Sequence, residues 1–385
     1  MTYGADGPPP PQQPSYQGYP PQGYPQQPYY PAPGYPPQQG YHPPPGYGYY
    51  PPPAPPALKP GVVPLRPLTL SDIFNGAVAY IRLNPKASLG MTAIVIVIAQ
   101  VFALLIQIGP MTSLTSLSPE TFGGSGTADL SDPAFIGLIV SSLVGTATTT
   151  IAAIVLSGLL TVVVGRSVFG AKITAGEAWR RARGRLLALL GFTALEVLVV
   201  VIIIGIAAGV TVFVYYVAGV GASVAIGLLL ALGVFALLIW GGTLLIFAPV
   251  AIVLERASVV DAVTRSLALV RKGFWRVLGI WMLAVLVTSF IAGAVSMPFS
   301  FGGQMLLLTD ATTTMTVVAA VLISIGGAIG QIITAPFTAG AIVLLYTDRR
   351  IRAEAFDLVL QSGAAGHVTD SGDAIDQLWL TPPRP

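Results

Sequence analysis

The stretch ERASVVDAVTRSLALVRKGFWRVLG, residues 255–279, gathers seven charged side chains between two long apolar runs. Ser258 and Asp261 form a Ser-x-x-acid pattern, which is typical of a helix N-terminus because both side chains can bind free backbone N–H groups. Asp261 and Arg265 lie one helical turn apart, where they could form an ion pair. The spacing predicts a short amphipathic helix at a membrane surface, with its bases toward anionic headgroups. Its predicted apolar face consists of Val260, Val263, Leu267, Val270 and Phe274.

The rest of the chain has the composition of a membrane protein. Only 9% of the 385 residues are charged and 54% are hydrophobic, with a mean hydropathy of +0.74, whereas soluble proteins are about 25% charged. Several apolar runs exceed the roughly 20 residues that a helix needs to cross a bilayer. They lack the alternation of a membrane barrel, so backbone groups inside lipid must be satisfied within helices. We therefore predict an all-α integral membrane protein.

The distribution of bases predicts how the chain crosses the membrane. All nineteen Lys and Arg residues fall before the first span, between spans two and three, between spans four and five, or after span six. The only charged residues in the other loops are acids. Positive charge is retained in cytoplasmic loops. We therefore expect a plasma-membrane protein with both termini in the cytoplasm. The six predicted spans lie near residues 87–108, 135–165, 187–214, 223–254, 277–297 and 316–346.

Two further stretches resemble the opening one. Thr69-Leu-Ser-Asp72 precedes the first span, and Thr174-Ala-Gly-Glu177 precedes the third. Each combines a capping pattern with an amphipathic helix and leads into a pair of spans. We therefore predict three repeats, each made of an interfacial helix and a transmembrane helical hairpin.

The ends of the chain differ in composition from this membrane domain, which we place at residues 64–362. Residues 1–58 are rich in Pro, Gly, Gln and Tyr and contain eleven of the fifteen tyrosines. Such a composition cannot bury enough apolar area to fold, so we predict a disordered cytoplasmic tail. It is either a solvated spacer or a multivalent ligand for protein partners. We predict a second disordered tail at residues 363–385 and no cleavable signal peptide.

Three stretches carry a resemblance to a known family: RPLTLSDIFNGAVAYIRLNPKASLG (66–90), LERASVVDAVTRSLALVRKGFWRVLGIW (254–281) and APFTAGAIVLLYTDRRIRAEAFDLVLQ (335–361). Together they resemble the membrane domain that precedes the catalytic barrel of some bacterial glycerophosphoryl diester phosphodiesterases. That domain also occurs alone behind a Pro/Gly/Tyr-rich tail in actinobacterial multi-pass proteins. The resemblance implies no catalysis here, because a catalytic barrel takes about 250 residues and the sequence after the sixth predicted span is far shorter. The chain has no Cys and only two His, both in the predicted tails, so we expect no metal site or cofactor.

Glu196 is the ionisable residue that lies deepest in a predicted span. At 1.5 Å per residue it lies about 14 Å below the start of the span, near the bilayer midplane. It is either part of an ion, proton or substrate pathway or a protonated acid that is hydrogen-bonded for packing, with Gln100 and Gln331 among its possible partners. Pro249 and Pro336 are predicted to kink the fourth and sixth spans.

Two small-residue stripes are suited to close helix packing. They are Gly205-x-x-x-Gly209 in the third span and Gly326-x-x-x-Gly330 in the sixth. We expect both to pack within the chain rather than against a second copy.

The bases on the inner face are candidate contacts for lipid headgroups. Their position beside a bilayer favours anionic lipid over nucleic acid as the partner. We therefore predict a non-enzymatic plasma-membrane module with a scaffolding or regulatory role in envelope or lipid metabolism. The alternative is a transporter or channel for a lipid-like or small solute, gated by Glu196 and the two proline kinks. The candidate headgroup contacts are Arg180, Arg181, Arg183, Arg185, Arg271, Lys272 and Arg276.

Overall fold

The computed structural model describes residues 61–64, 66–114, 133–309, 312–365 and 376–380. It is 90% helical, and the described residues form no strand. The prediction of an all-α fold is therefore confirmed. The predicted N-terminal tail, residues 1–58, lies outside the described residues, and of the predicted tail at 363–385 only 363–365 and 376–380 are described.

Ten α-helices and two short helical turns of other types make up the described chain. The helices are α1 (Leu70–Leu83), α2 (Met91–Leu114), α3 (Pro133–Val168), α4 (Ala175–Ala182), α5 (Leu186–Leu245), α6 (Ala248–Leu254), α7 (Val259–Arg271), α8 (Phe274–Thr309), α9 (Thr313–Glu354) and α10 (Phe356–Ala365). A π-helical turn, Lys86–Gly90, precedes α2, and a 3₁₀ turn, Arg183–Arg185, joins α4 to α5.

Five helical segments are long and apolar enough to cross a membrane, judged by length and composition. Four of them overlap the first, second, fifth and sixth predicted spans. The remaining segment covers the third and fourth predicted spans together. The segments are Lys86–Gln107, Ile139–Val168, Ala175–Leu254, Phe274–Leu308 and Thr313–Glu354.

Gly219 interrupts the longest helix, α5. Its backbone angles, φ 81° and ψ −178°, lie in a region that is almost restricted to glycine, and a helix cannot continue through them. The two sides of α5 come together again, since a Cβ built on Gly227 would lie 3.2 Å from Cγ2 of Thr211. In one straight helix those residues would be about 24 Å apart. The chain of α5 therefore reverses at Gly219 and forms a helical hairpin.

Helices α1, α4 and α7 begin at the capping residues that the sequence predicts. In each, the hydroxyl oxygen of the capping residue accepts a hydrogen bond from the backbone N–H three residues further on, at 3.2 to 3.3 Å. In α1 and α4 the acid also accepts the N–H of the capping threonine, which completes a capping box. These predicted helix starts are confirmed. The pairs are Thr69 with Asp72, Thr174 with Glu177, and Ser258 with Asp261.

The buried face of α7 agrees only in part with the predicted apolar face. Val260, which the pattern places on that face, is 72% exposed. Val270 of the predicted face is buried and Val263 and Phe274 pack against the core, whereas Ala262 and Ser266 are small side chains that let α7 approach the core closely. The buried residues of α7 are Ala262, Ser266, Leu269 and Val270.

The predicted kink at Pro249 is a break between two helices. The helical bonding stops at residues 246–247, and Pro249 lies in the first turn of α6, where its missing N–H is not needed. Ser266 of α7 satisfies backbone groups at the break. Its hydroxyl donates to the carbonyl of Leu244 at 2.6 Å and accepts the N–H of Phe247 at 3.2 Å. The break therefore also fixes the position of α7.

Pro336, the second predicted kink, lies inside α9, and the helix continues through it. Its carbonyl oxygen accepts a hydrogen bond from the hydroxyl of Tyr80, which is fully buried in α1. Burial raises the pKa of this hydroxyl, so Tyr80 remains a neutral donor. Gly340, one turn further along α9, faces the same ring, because a Cβ built there would lie 2.5 Å from Cε1 of Tyr80. Helices α1 and α9 are thus packed closely around Tyr80.

One of the two glycine stripes packs within the chain. A Cβ built on Gly326 would lie 2.6 Å from Cβ of Phe299, and one on Gly330 would lie 3.2 Å from the carbonyl oxygen of Ala292. The predicted close approach is therefore confirmed for α9, which packs against α8. For the stripe at residues 205–209, in contrast, no atom of another described helix comes within 4 Å of either built Cβ.

Asp348 of α9 fixes the segment that enters α1. This fully buried carboxylate accepts the backbone N–H of Leu68 at 2.8 Å. It also binds Arg352 at 2.9 Å and Arg276 of α8 at 3.3 Å. Both arginines donate in turn to the carbonyl oxygen of Leu68, at 3.2 and 2.7 Å. The backbone of Leu68 is therefore held by α8 and α9 together.

A second polar cluster joins α7 and α9 to the end of α6. Glu255, 8% exposed, pairs with Arg265 and, at 3.3 Å, with Arg350. Arg265 also pairs with Glu354 at 2.8 Å. The i,i+4 pair predicted between Arg265 and Asp261 does not form, because Arg265 binds these two glutamates across the helix interface instead.

Candidate functional site

Five arginines surround a cavity of about 700 Å³ where α3, α4 and α6 meet; we call it the arginine cavity. Arg166 lies near the end of α3, Arg180 and Arg181 on α4, Arg185 in the 3₁₀ turn that follows, and Arg256 just after α6. The remaining lining includes the acids Glu177 and Asp376, the ring of Trp379, and the apolar side chains of Val162, Val253 and Leu254.

Small residues on α4 determine where its arginines lie. Ala178 and Ala182 are fully buried against the core. Positions three and four residues apart share one face of a helix, so Arg181 lies next to this buried face, at the wall of the cavity. The 3₁₀ turn that follows α4 adds Arg185 to that wall.

Arg256 reaches the cavity from a left-handed backbone conformation, with φ 54°. This conformation costs a non-glycine residue about 1 kcal/mol, and glycine is the common choice directly after a helix. Glu255 and Ala257 on its two sides are held by the buried ion pairs of Glu255 and by a hydrogen bond from the N–H of Ala257 to Ala251. An arginine at this position is therefore unfavourable for local folding, which indicates that its side chain has another use.

The charges around the cavity are not balanced. Glu177 is engaged in capping α4, where its carboxylate accepts the N–H and the hydroxyl of Thr174, each at 3.0 Å. Asp376 pairs with Arg166 at 3.4 Å and with Arg181. Five arginines against two acids leave three positive charges in excess. The unmatched arginines, which have no hydrogen bond or ion pair to any described residue, are Arg180, Arg185 and Arg256.

The structure brings some of the predicted headgroup contacts to this cavity. Arg180, Arg181 and Arg185 line it, whereas Arg183 is exposed and points elsewhere. Guanidinium groups gathered in a concave site form a strong positive potential and can bind oxygen pairs of a phosphate or carboxylate through two parallel hydrogen bonds. The arrangement thus has the chemistry that anion binding requires.

The other three predicted contacts lie apart from it. Arg271 borders a groove of about 520 Å³ whose other lining residues are apolar, among them Trp240 and Phe274. Lys272 is exposed. Arg276 binds Asp348 and Leu68, so its guanidinium has an internal role that the sequence does not indicate.

The predicted intramembrane polar site is not assembled within the described chain. Glu196 is half-buried, and it forms no hydrogen bond or ion pair with any described residue. Gln100 lies in α2, near Gly327 of α9, and Gln331 is exposed. No hydrogen bond joins Glu196 to either glutamine among the residues that the structure describes.

Four residues of the arginine cavity are not predicted from the sequence. In the sequence, Arg166 and Arg256 indicate only which loops face the cytoplasm. Asp376 and Trp379 fall in the predicted C-terminal tail. A signal is present in that tail, because AIDQLWL at 374–380 combines apolar and aromatic residues with an acid. Residues 376–380 pack onto the membrane domain, with Trp379 only 2% exposed.

Comparison with known proteins identifies a family and no function. No curated protein and no solved structure matches this chain. A family model, described as a domain of unknown function, matches residues 70–349 and so includes every short and long helix from α1 to most of α9. The chain therefore belongs to the DUF7847 family.

Proposed function

We propose that this protein is a non-enzymatic membrane module that binds the phosphate of an anionic phospholipid headgroup in the arginine cavity. The observation that carries the proposal is the presence around one concave site of Arg180, Arg185 and Arg256, none of which forms a hydrogen bond or ion pair with a described residue. A phosphate oxygen pair matches the geometry of a guanidinium, and anionic headgroups concentrate at the cytoplasmic surface of a membrane.

The membrane topology belongs to the same proposal. The chain crosses the plasma membrane six times, as three repeats of a short helix and a hairpin, with the arginine cavity on the cytoplasmic side. The reversal at Gly219 supports two crossings by α5, because a 60-residue helix would be about 90 Å long, three times the hydrocarbon thickness. The one-sided distribution of Lys and Arg supports the orientation.

Cysteine labelling tests this topology directly, because the chain has no native cysteine. In intact cells, a membrane-impermeant maleimide is expected to label Ala218→Cys, next to the reversal. Arg183→Cys is expected to react only after permeabilisation. Labelling of both positions from the same side would contradict the six-span topology.

Lipid binding is expected to depend on the arginines of the cavity rather than on basic charge in general. The double variant Arg180→Gln/Arg185→Gln should bind dioctanoyl phosphatidylglycerol at least about a hundredfold more weakly than the wild type, since each of the two charge-assisted hydrogen bonds lost contributes about 1.5 to 3 kcal/mol. The measurement is calorimetric titration of the full-length protein in detergent, with dioctanoyl phosphatidylcholine as the neutral lipid.

Arg183→Gln/Lys272→Gln is the matched control, because it removes two exposed bases that do not line the cavity. Equal weakening in both double variants would refute a specific site and leave only surface charge. Inorganic phosphate, titrated in a separate arm, distinguishes a free anion from a lipid-borne one.

The variant Arg256→Gly distinguishes a role of Arg256 in lipid binding from a role in the stability of the fold. Glycine relieves the left-handed backbone at this position, so the thermal midpoint should stay unchanged or rise, while lipid binding falls. A fall in both quantities would mean that Arg256 serves the fold instead.

Two parts of the sequence-based hypothesis stay predictions. The absence of catalysis rests on the resemblance to the membrane domain of glycerophosphoryl diester phosphodiesterases. The recruitment of protein partners rests on the Pro/Tyr-rich composition of residues 1–58, and a role in envelope or lipid metabolism follows from both.

A further inference from the structure

The C-terminal residues 376–380 supply the arginine cavity with an anion from the chain itself. The carboxylate of Asp376 binds Nε of Arg166 at 3.4 Å with one oxygen and a guanidinium nitrogen of Arg181 with the other. Each of its two oxygens thus contacts a different one of the five arginines. This two-oxygen contact is also the way in which a phosphate ester would bind them.

Aromatic contacts hold this segment in place. Trp379 packs edge-on against Phe169, with ring centroids 5.7 Å apart, and its ring is tilted by 34° to that of Phe356, with centroids 5.1 Å apart. Its carbonyl oxygen accepts a hydrogen bond from Arg350 at 3.1 Å, and the same guanidinium lies 4.1 Å from the centre of the Phe356 ring. The segment is therefore docked by its tryptophan, while its aspartate reaches the cavity.

One buried polar group of the docked segment disfavours docking. The indole N–H of Trp379 is buried without a hydrogen-bond partner in the described part of the chain. An unsatisfied buried donor disfavours the state that contains it, because water would bind it once the segment is released. The unpaired indole N–H thus destabilises the docked position of residues 376–380.

We propose that Asp376 is an internal competitor for the arginine cavity: its carboxylate occupies Arg166 and Arg181 until a phosphate-bearing anionic headgroup displaces it. This inference rests on the proposed function and adds its regulation. The phosphodiester of a headgroup carries one negative charge, as a carboxylate does, but it can also reach Arg180, Arg185 and Arg256, so it can form more charge-assisted hydrogen bonds in the cavity than Asp376 does. Asp376 competes at the high local concentration that attachment to the same chain provides, which lowers the apparent lipid affinity.

Removing the carboxylate while keeping its shape should therefore strengthen lipid binding. Asp376→Asn in the full-length protein is expected to bind dioctanoyl phosphatidylglycerol on the order of tenfold more tightly than the wild type. Asp357→Asn is the matched control, because it removes the same charge from α10 and does not line the cavity. Its affinity should equal that of the wild type.

Displacement also predicts a spectroscopic change. In a variant whose other four tryptophans, Trp179, Trp240, Trp275 and Trp281, are replaced by phenylalanine, saturation with phosphatidylglycerol should shift the emission of Trp379 to the red as its ring enters water. Phosphatidylcholine should leave the emission unchanged.

The possible outcomes separate the two proposals. If no variant binds the anionic lipid, the proposed function fails. If binding depends on Arg180 and Arg185 but Asp376→Asn binds equally or more weakly than the wild type, lipid binding stands and the internal competitor is refuted. An unchanged Trp379 emission at saturating lipid would likewise refute displacement.

Discussion

Replacement of Asp348 by alanine is expected to lower the thermal midpoint of the purified protein by roughly 6 to 12 °C. The carboxylate is fully buried and binds two arginines and a backbone N–H. Removing one partner of a buried ion pair costs about 3 to 5 kcal/mol. The side chains of Arg276 and Arg352 are each 37% exposed, so water can solvate them in part, which points to the lower end of that range.

Asp357→Ala is the control for this substitution. Asp357 lies in the first turn of α10 and forms no hydrogen bond or ion pair with any described residue. Its loss should change stability by less than about 1 kcal/mol, through the helix dipole alone. A thermal scan of both variants in the same detergent decides the matter, and equal midpoints would show that Asp348 does not anchor Leu68.

Gly340→Ala is expected to destabilise the protein by about 2 kcal/mol, although alanine is the better helix former. The added methyl group would lie 2.5 Å from the ring of Tyr80 and 3.1 Å from Cα of Ala77. The ring cannot move easily, because it is fully buried and its hydroxyl binds the carbonyl of Pro336. The alanine must therefore push α1 away from α9, and a thermal midpoint lowered by about 4 to 8 °C would report this.

Gly327→Ala, in the same helix, should have the opposite sign. There the nearest atom to the new methyl group would be Nε2 of Gln100 at 3.8 Å, an ordinary contact. Helix propensity then prevails, and a gain of up to about 1 kcal/mol is expected. If both substitutions shifted the midpoint in the same direction, close packing at Gly340 would not be the cause.

The sequence predicts those parts of the fold that depend on local chemistry. Thr69, Thr174 and Ser258 cap their helices as their spacing to the next acid indicates, because both hydrogen-bonding groups lie within one turn. Apolar length likewise locates the long helices. The sequence also predicts a loop between two spans around Gly219, and a single glycine conformation is sufficient to form the reversal there.

Contacts between distant residues could not be predicted in this way. Periodicity shows that α7 has an apolar face with Val260, but it does not show that Ala262 and Ser266 are the residues that pack on the core. Arg265 has an acid one turn away in Asp261, yet it binds Glu255 and Glu354, whose positions depend on how α6, α7 and α9 assemble.

The candidate site can be predicted only in part for the same reason. Arg180, Arg181 and Arg185 stand out because they cluster in the sequence. Arg166 and Arg256 join them only through the packing of α3 and α6, and Asp376 reaches them from the other end of the chain. The left-handed backbone of Arg256 leaves no trace in its sequence neighbours.

The hydrogen bonds that hold the backbone of Leu68 have a mechanical consequence. Tension applied to the chain ahead of this residue passes through its backbone to Asp348, Arg276 and Arg352, and so to two membrane helices at once, before it can unwind the first turn of α1. A load on the N-terminal region would thus be shared between α8 and α9 rather than carried by α1 alone.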